Sequence, residues 1–337
     1  MEVDLTNIND RRVAQIALPM MLSNITVPLL GFFDTAVIGQ LGEPELIAAL
    51  GLGSILISTL YWLCGFLRMG TTGLTAQAKG EENPREVVQI LIRGVLIGVF
   101  LGILILLISL PIFRIFFLIS PAEPSVEAHA LTYVEIRVFS APIAIANITL
   151  IGWLIAMERA LRVFFIQFFV NILNLSLSML LVLTWDYGIE GVAYATLISE
   201  VFGFFLSLIM CRKVIDYQSN FSVKGIFNPT KWIHLFSINF NIFLRSLLLE
   251  MVFLSFVFWG ASFGTLVQAA NQILIQFLHI FSYTLDGFAF SAEVLVGISY
   301  GRKKLNDLRK SVLICTRWAA ITALGLSLIV FFFGSGF

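Results

Sequence analysis

The sequence predicts an all-α integral membrane protein, a polytopic helical bundle crossing the bilayer nine times. Three observations predict it. Of 337 residues, 58% are hydrophobic and only 12% charged, with a mean hydropathy of +0.94; a soluble chain of this size needs far more charge on its surface. Apolar runs of the roughly 20 residues that a span requires recur along the chain. The basic residues fall in alternate joints between those runs. The 32 phenylalanines suit a surface against acyl chains.

The runs follow in order. The first, 13–39, comes after a polar, acidic start (Glu2, Asp4, Asp10), which is not the basic start of a cleaved signal, so the helix is expected to be retained. Gly42-Glu43-Pro44 ends it. The second, 46–78, is too long for one straight crossing and is expected to bend or to extend past the membrane. The third is 87–113. The fourth, 131–157, lies beyond the punctuation of Pro121 and Pro124. The fifth, 163–184, and sixth, 190–211, are parted by Tyr187-Gly188. The seventh, 236–260, follows Asn228-Pro229. The eighth, 267–297, is again long and stops at Gly301, and the ninth is 311–334.

Charge in the short joints orients the bundle. One set of joints carries Arg11, Arg12, Lys79, Arg85, Arg159, Arg162, Arg212, Lys213, Lys224, Lys231, Arg302, Lys303, Lys304, Arg309 and Lys310. The opposite set carries only Arg114. The N-terminus is therefore expected in the cytoplasm. The net charge of zero supplies no field for nucleic acid. The spacing of Cys64, Cys211 and Cys315 fits no metal or redox motif, and they read as small buried hydrophobes. His129, His234 and His279 are isolated and read as structural.

A cytoplasmic linker, 212–235, separates an N-terminal lobe of six helices (1–211) from a partial C-terminal lobe of three (236–337). Under a shift of 221 residues Gly39 falls on Gly260, Ala48-Ala49 on Ala269-Ala270, Leu74 on Leu295, Gly80 on Gly301 and Leu107-Ile108 on Leu328-Ile329. The schedule of helices and joints matches under the same shift, as in transporters built from two parallel repeats. Phe337 falls on Phe116, near the end of the third span. The second bundle then reads as half complete, and truncation of a twelve-helix parent is the expectation.

Ionisable groups inside spans are costly and mark function by default. Asp34 stands in the first span with no basic neighbour in sequence, after Pro19 and Pro28. Pro28 has no N–H for the carbonyl of Asn24, so the helix can bend there. A lone carboxylate on such a helix suits a proton or sodium site; a structural Asp bonded to a neighbouring helix is the rival. Asn171, Asn174 and Ser178 share one face of the fifth span, as ligands for a cation or as interhelical hydrogen bonds. Thr196 and Glu200 lie one turn apart on the sixth. In the later spans Arg245 and Glu250 are five apart, a poor helical pair, and Asp286 and Glu293 share a face. These are candidates for the polar lining of a cleft. Arg68, Arg93 and Arg317 are expected to snorkel to the cytoplasmic interface. Arg137 is expected to stabilise the bundle.

Several segments carry a resemblance: Pro19 to Gly42 with Asp34, Gly152-Trp153-Leu154, Asn171 to Asn174, Gly188 to Thr196, Phe243 to Leu249, and Leu285 to Ala289. Over its whole length the chain resembles the multidrug and toxic compound extrusion (MATE) family, in particular the branch of the DNA-damage-inducible protein F. The resemblance implies a twelve-helix antiporter with two six-helix lobes, exporting organic cations and amphipathic compounds on a sodium or proton gradient, with no enzyme activity and no cofactor beyond the coupling ion. It implies a cation site at Asp34, Asn174, Ser178 and Thr196, with sodium at Asp34, Asn174 and Thr196. Ser178 departs from the pattern, since the branch usually has Asp there, and Glu250 stands where Gln is expected. The implied partners are the bilayer and small cationic or amphipathic substrates, with a monomer favoured. A lipid-linked sugar flippase of related fold, which calls for a more cationic cavity, and an inactive remnant of an exporter are the competing functions. A membrane enzyme would need convergent catalytic groups at one face, which the short outer joints do not offer.

Overall fold

The computed structural model describes residues 8–119, 122–215, 223–262 and 265–333. Pro121, part of the linker (216–222) and the end of the ninth run lie outside them, as does the side chain of His279. The described residues form helices only: α1 (Asp10–Gly39), α2 (Pro44–Leu63), α3 (Phe66–Gly80), α4 (Pro84–Ile119), α5 (Pro124–Arg137), α6 (Ala141–Ala156), α7 (Ala160–Ser178), α8 (Gly188–Ile215), the short α9 (Val223–Ile226), α10 (Pro229–Ser262), α11 (Thr265–Gly301) and α12 (Leu305–Phe333). Eight rods, α2 with α3 and α5 with α6 each counting as one, are long and apolar enough to cross a membrane. The eighth expected run is the single 37-residue helix α11. At 1.5 Å per residue it is about 55 Å long, well beyond the hydrocarbon thickness.

Each break in a rod has a local cause. The second run bends at Cys64–Gly65, where the Gly65 N–H turns to Trp62 O at 2.8 Å. A Cβ on Gly65 would stand 2.9 Å from that oxygen, so the bend needs glycine. The fourth run breaks at Val138–Ser140, a single 3₁₀ turn. Pro142 has no N–H to offer Val138 O, and the Ala141 N–H takes that carbonyl instead. The fifth run changes to π-helix over Met179–Thr184, directly after Ser178. α1, in contrast, stays helical through both prolines. Asn9 caps it, accepting from the Arg12 N–H at 2.9 Å.

The packing suits a bilayer. Large apolar side chains point outward: Leu107, Leu118 and Phe331 are 70%, 85% and 78% exposed. The three cysteines are buried. Buried hydroxyls satisfy themselves on their own helix, Ser199 to Ala195 O, Ser207 to Gly203 O and Ser299 to Leu295 O, at 2.7–2.8 Å. With no water at that depth, each such bond removes a donor that hydrocarbon could not satisfy.

At the end of the bundle that carries the basic joints, α3 and α11 cross almost without side chains between them. A Cβ on Gly80 would stand 2.2 Å from Ile298 O, and one on Gly301 would stand 2.1 Å from Gln77 O. One on Gly297 would stand 2.7 Å from the Ala76 methyl. Gln77 and Ile298, Gly80 and Gly301, and Ala76 and Gly297 are each 221 residues apart. The contact is thus reciprocal about a local two-fold axis between α3 and α11. The turns that follow repeat as well. Glu81, Glu82 and Asn83 donate to Gln77, Lys79 and Ala78; Arg302, Lys303 and Lys304 donate to Ile298, Tyr300 and Ser299. Glu82 and Lys303 take the same positive φ, 54° and 55°. α1 closes the same end, with Ser291 Oγ donating to Val13 O at 3.2 Å and Gly287 against Ala17.

Candidate functional site

The helical spacing of α7, on which Asn174 and Ser178 lie one turn apart, brings four predicted residues together as two bonded pairs, Ser178 with Asp34 and Asn174 with Thr196. Asp34, Asn174, Ser178 and Thr196 are all 5% exposed or less. Ser178 Oγ donates to Asp34 Oδ1 at 3.0 Å. One turn before it on α7, Asn174 Nδ2 donates to Thr196 Oγ1 at 2.9 Å. The Thr196 hydroxyl in turn donates to Val192 O. Asn174 Oδ1 is buried and accepts nothing. A buried acceptor without a donor costs about 1–3 kcal/mol. Beside a carboxylate and two hydroxyls, it is the oxygen a hard cation would take. The donor set thus fits sodium at Asp34, Asn174 and Thr196, with Ser178 added, and it equally fits a proton on Asp34. Among the described residues no group of three His, Cys, Asp or Glu could hold a metal ion, so the fit rests on neutral oxygens around one acid.

Asn171 stands apart. It is half-buried and donates to Thr26 O at 3.2 Å, tying α7 to α1 near Pro28. Glu200, one turn beyond Thr196, is held in a two-point ion pair with Arg137, at 2.8 and 2.9 Å. Arg137 is the last residue of α5, at the break in the fourth rod, and only 6% exposed. Tyr61 hydroxyl donates to Arg137 O at 3.2 Å and lies 3.0 Å from Ser140 Oγ. Arg137 is near enough to Asp34 for its charge to act there. Sequence reasoning treated Arg137 as bundle support. Its one signal was an arginine inside an apolar run, five residues before a proline.

The later candidates lie between α3, α10 and α11. Arg68 reaches Glu293 at 3.3 Å and lies over the Phe290 ring, 4.2 Å from its centroid. Asp286, on the same face, is half-buried. Arg245 is exposed and approaches Met69 Sδ at 3.4 Å rather than Glu250, as their spacing of five predicts. Glu250 is half-buried.

The snorkelling expected of the arginines is corrected at two positions. Arg93 is 1% exposed and turns to Glu86 at 2.9 Å, because Glu86 and Gln89 sit on its own helix face. Arg68 is captured by Glu293. Arg317 alone stays exposed, paired with Asp10. At the basic end Glu158 accepts from Arg12 at 2.6 and 2.7 Å and from Lys79 at 2.7 Å. It joins the starts of α1 and α7 to the end of α3.

The MatE family profile matches residues 19–180 and 242–336. DNA damage-inducible protein F of Escherichia coli (strain K12) is 36% identical over 325 residues, 95% of this chain and 70% of that protein. A probable multidrug resistance protein NorM of Neisseria meningitidis serogroup A is 25% identical over 95% of this chain and 72% of its own length. Among solved structures, a multidrug resistance MATE family transporter in an outward-facing conformation superimposes with a TM-score of 0.86 at 19% identity, covering 97% of this chain and 72% of that one. A MOP superfamily transporter from Pyrococcus furiosus gives 0.85 at 20% identity, over 98% and 73%.

Proposed function

The chain belongs to the MatE family, and from that premise we propose that it is a cation-coupled antiporter exporting cationic or amphipathic small molecules by alternating access. It is a multi-pass membrane transporter and not an enzyme. The basic joints support a cytoplasmic N-terminus under the positive-inside rule, in a bacterial inner membrane.

One observation carries the coupling reading: Asp34 is buried in the bundle among Asn174, Ser178 and Thr196, with the Asn174 carbonyl oxygen lacking any donor. A cation arriving there neutralises Asp34 and occupies that oxygen. Both interactions tie α1 to α7 and α8. Binding then favours whichever arrangement of α1 brings the three helices together. A ligand drives a conformational change only through such a difference in affinity. At the opposite end α1, α3 and α11 meet in a close-packed seam. Export needs that seam to part so that the cation leaves on the basic side, and the outer side to reopen once the exported molecule has bound in its place.

The cationic cavity of a sugar flippase finds little support. Arg68 and Arg137 are each matched by a carboxylate, Glu293 and Glu200. The test is Asp34→Asn, with export of a fluorescent organic cation measured in proteoliposomes under an imposed sodium or proton gradient. The variant should insert normally and lose gradient-driven export. Undiminished export would refute the coupling assignment.

A further inference from the structure

We propose that Arg137 is a positioning residue of the coupling site, a fixed cation that cancels Glu200 so that Asp34 remains the one carboxylate exchanging a cation. The proposal rests on the coupling role given to Asp34 above. Glu200 would otherwise stand one helical turn from Thr196, a second acid at the edge of the same pocket. The two-point geometry, 2.8 and 2.9 Å, engages both its oxygens. Such a fork holds direction as well as charge. Arg137 is locked from its own side too: its Nη1 also donates to Ser140 Oγ at 3.2 Å, and its carbonyl accepts from Ser140 and Tyr61. The 3₁₀ turn forced by Pro142 sets that position. The charge is thus built into the bend of the fourth rod rather than carried on a free side chain.

Among the described residues, Ser178 on α7 bonds to Asp34, Arg137 on α5 is near enough to act on it by charge, and Tyr133 on α5 and Tyr61 on α2 lie against the Arg137–Glu200 pair. These three charged groups, Asp34, Glu200 and Arg137, sum to one negative charge, which a single proton or a single monovalent cation balances. Removing the guanidinium leaves two acids competing for cations. Removing Glu200 alone leaves a permanent cation beside Asp34.

The full chain in proteoliposomes tests this, with ethidium as the exported probe and the driving cation, sodium or proton, titrated. Rates are normalised to protein that elutes as a folded peak. Arg137→Gln should lower the half-saturating cation concentration by about tenfold, Glu200→Gln should raise it by about tenfold, and the double variant should return to within about twofold of the unsubstituted chain. That size is expected of one charge within about 10 Å at an effective dielectric of about 20. Arg137→Lys, which keeps the charge, should stay near the unsubstituted value. A pair that merely holds helices together would change yield and melting temperature but leave all the half-saturation values alike, and that result would overturn the proposal. Should Arg137→Gln fail to insert, the direction of the Glu200→Gln shift decides. Asp34→Asn runs alongside: loss of export there with no shift in the other variants sinks this proposal alone, whereas normal export in Asp34→Asn sinks the coupling reading itself.

Discussion

Gly80 and Gly301 press their backbones against each other's helices, Gly80 toward Ile298 O and Gly301 toward Gln77 O. Each contact is the image of the other under the 221-residue shift. Apart from the Ala76 methyl against Gly297, backbone meets backbone at these positions, so the crossing closes fully or parts as a unit, which is the behaviour a gate needs.

A side chain at either glycine should hold that gate open. A Cβ 2.1–2.2 Å from a carbonyl oxygen cannot be accommodated without separating α3 from α11, and overpacking of this kind costs about 1–3 kcal/mol. Gly301→Val should therefore shift the population toward the form open at the basic end by about tenfold, the effect of about 1.4 kcal/mol. Cysteine placed at Ser291, which is fully buried against Val13, reports the change in a background without the three native cysteines. A membrane-impermeant thiol reagent added to inside-out vesicles should label it about tenfold faster in Gly301→Val, and export should fall. Equal labelling rates with intact export would rule the crossing out as the moving seam.

Thr196→Val tests the neutral oxygens of the site. The substitution keeps the shape and removes the hydroxyl, so Asn174 Nδ2 loses its acceptor at 2.9 Å. Leaving that donor buried and unpaired costs about 1–3 kcal/mol. The Asn174 amide then has reason to turn its carbonyl away from the pocket. Half-saturation by the coupling cation should rise several-fold while the yield of inserted protein stays near normal. A curve superimposable on that of the unsubstituted chain would remove Thr196 from the site.

Much of this was legible because helices convert spacing into direction. Asn174 and Ser178, or Thr196 and Glu200, lie on one face whatever surrounds them, and an acid in an apolar run must turn inward. The Arg137–Glu200 pair was not legible, since its partners are 63 residues apart and join only after the Pro142 break. The turn of Arg93 is carried by the sequence, in Glu86 and Gln89 seven and four residues before it on one helix face. The repeat was faint in sequence because its strongest expression is in the backbone. Glu82 and Lys303 adopt one conformation with opposite charges, and a turn closed by main-chain bonds tolerates either side chain.

Glu158 gives a prediction about acid. Burial pushes its carboxyl up, but the two short bonds from Arg12 and the charge of Lys79 outweigh burial and leave it below the ordinary 4.5. A group lowered on folding stabilises the protein at pH above its unfolded value, and that contribution is lost as pH falls through the lowered folded value. The melting temperature of the detergent-solubilised chain should accordingly be flat above about pH 5 in this respect and fall below about 4.5. Glu158→Gln should lose this part of the acid sensitivity. At pH 7 it should also melt lower, because the buried Lys79 and Arg12 lose the carboxylate they share, a loss of about 3 kcal/mol for a buried pair broken on one side. Arg12 and Lys79 sit on α1 and α3, the helices of the basic-end seam, so the same variant should loosen that end and speed labelling of a cysteine at Ser291. A variant as stable as the unsubstituted chain at pH 7, with the same acid slope, would show that the Glu158 cluster does not hold α1 to α3.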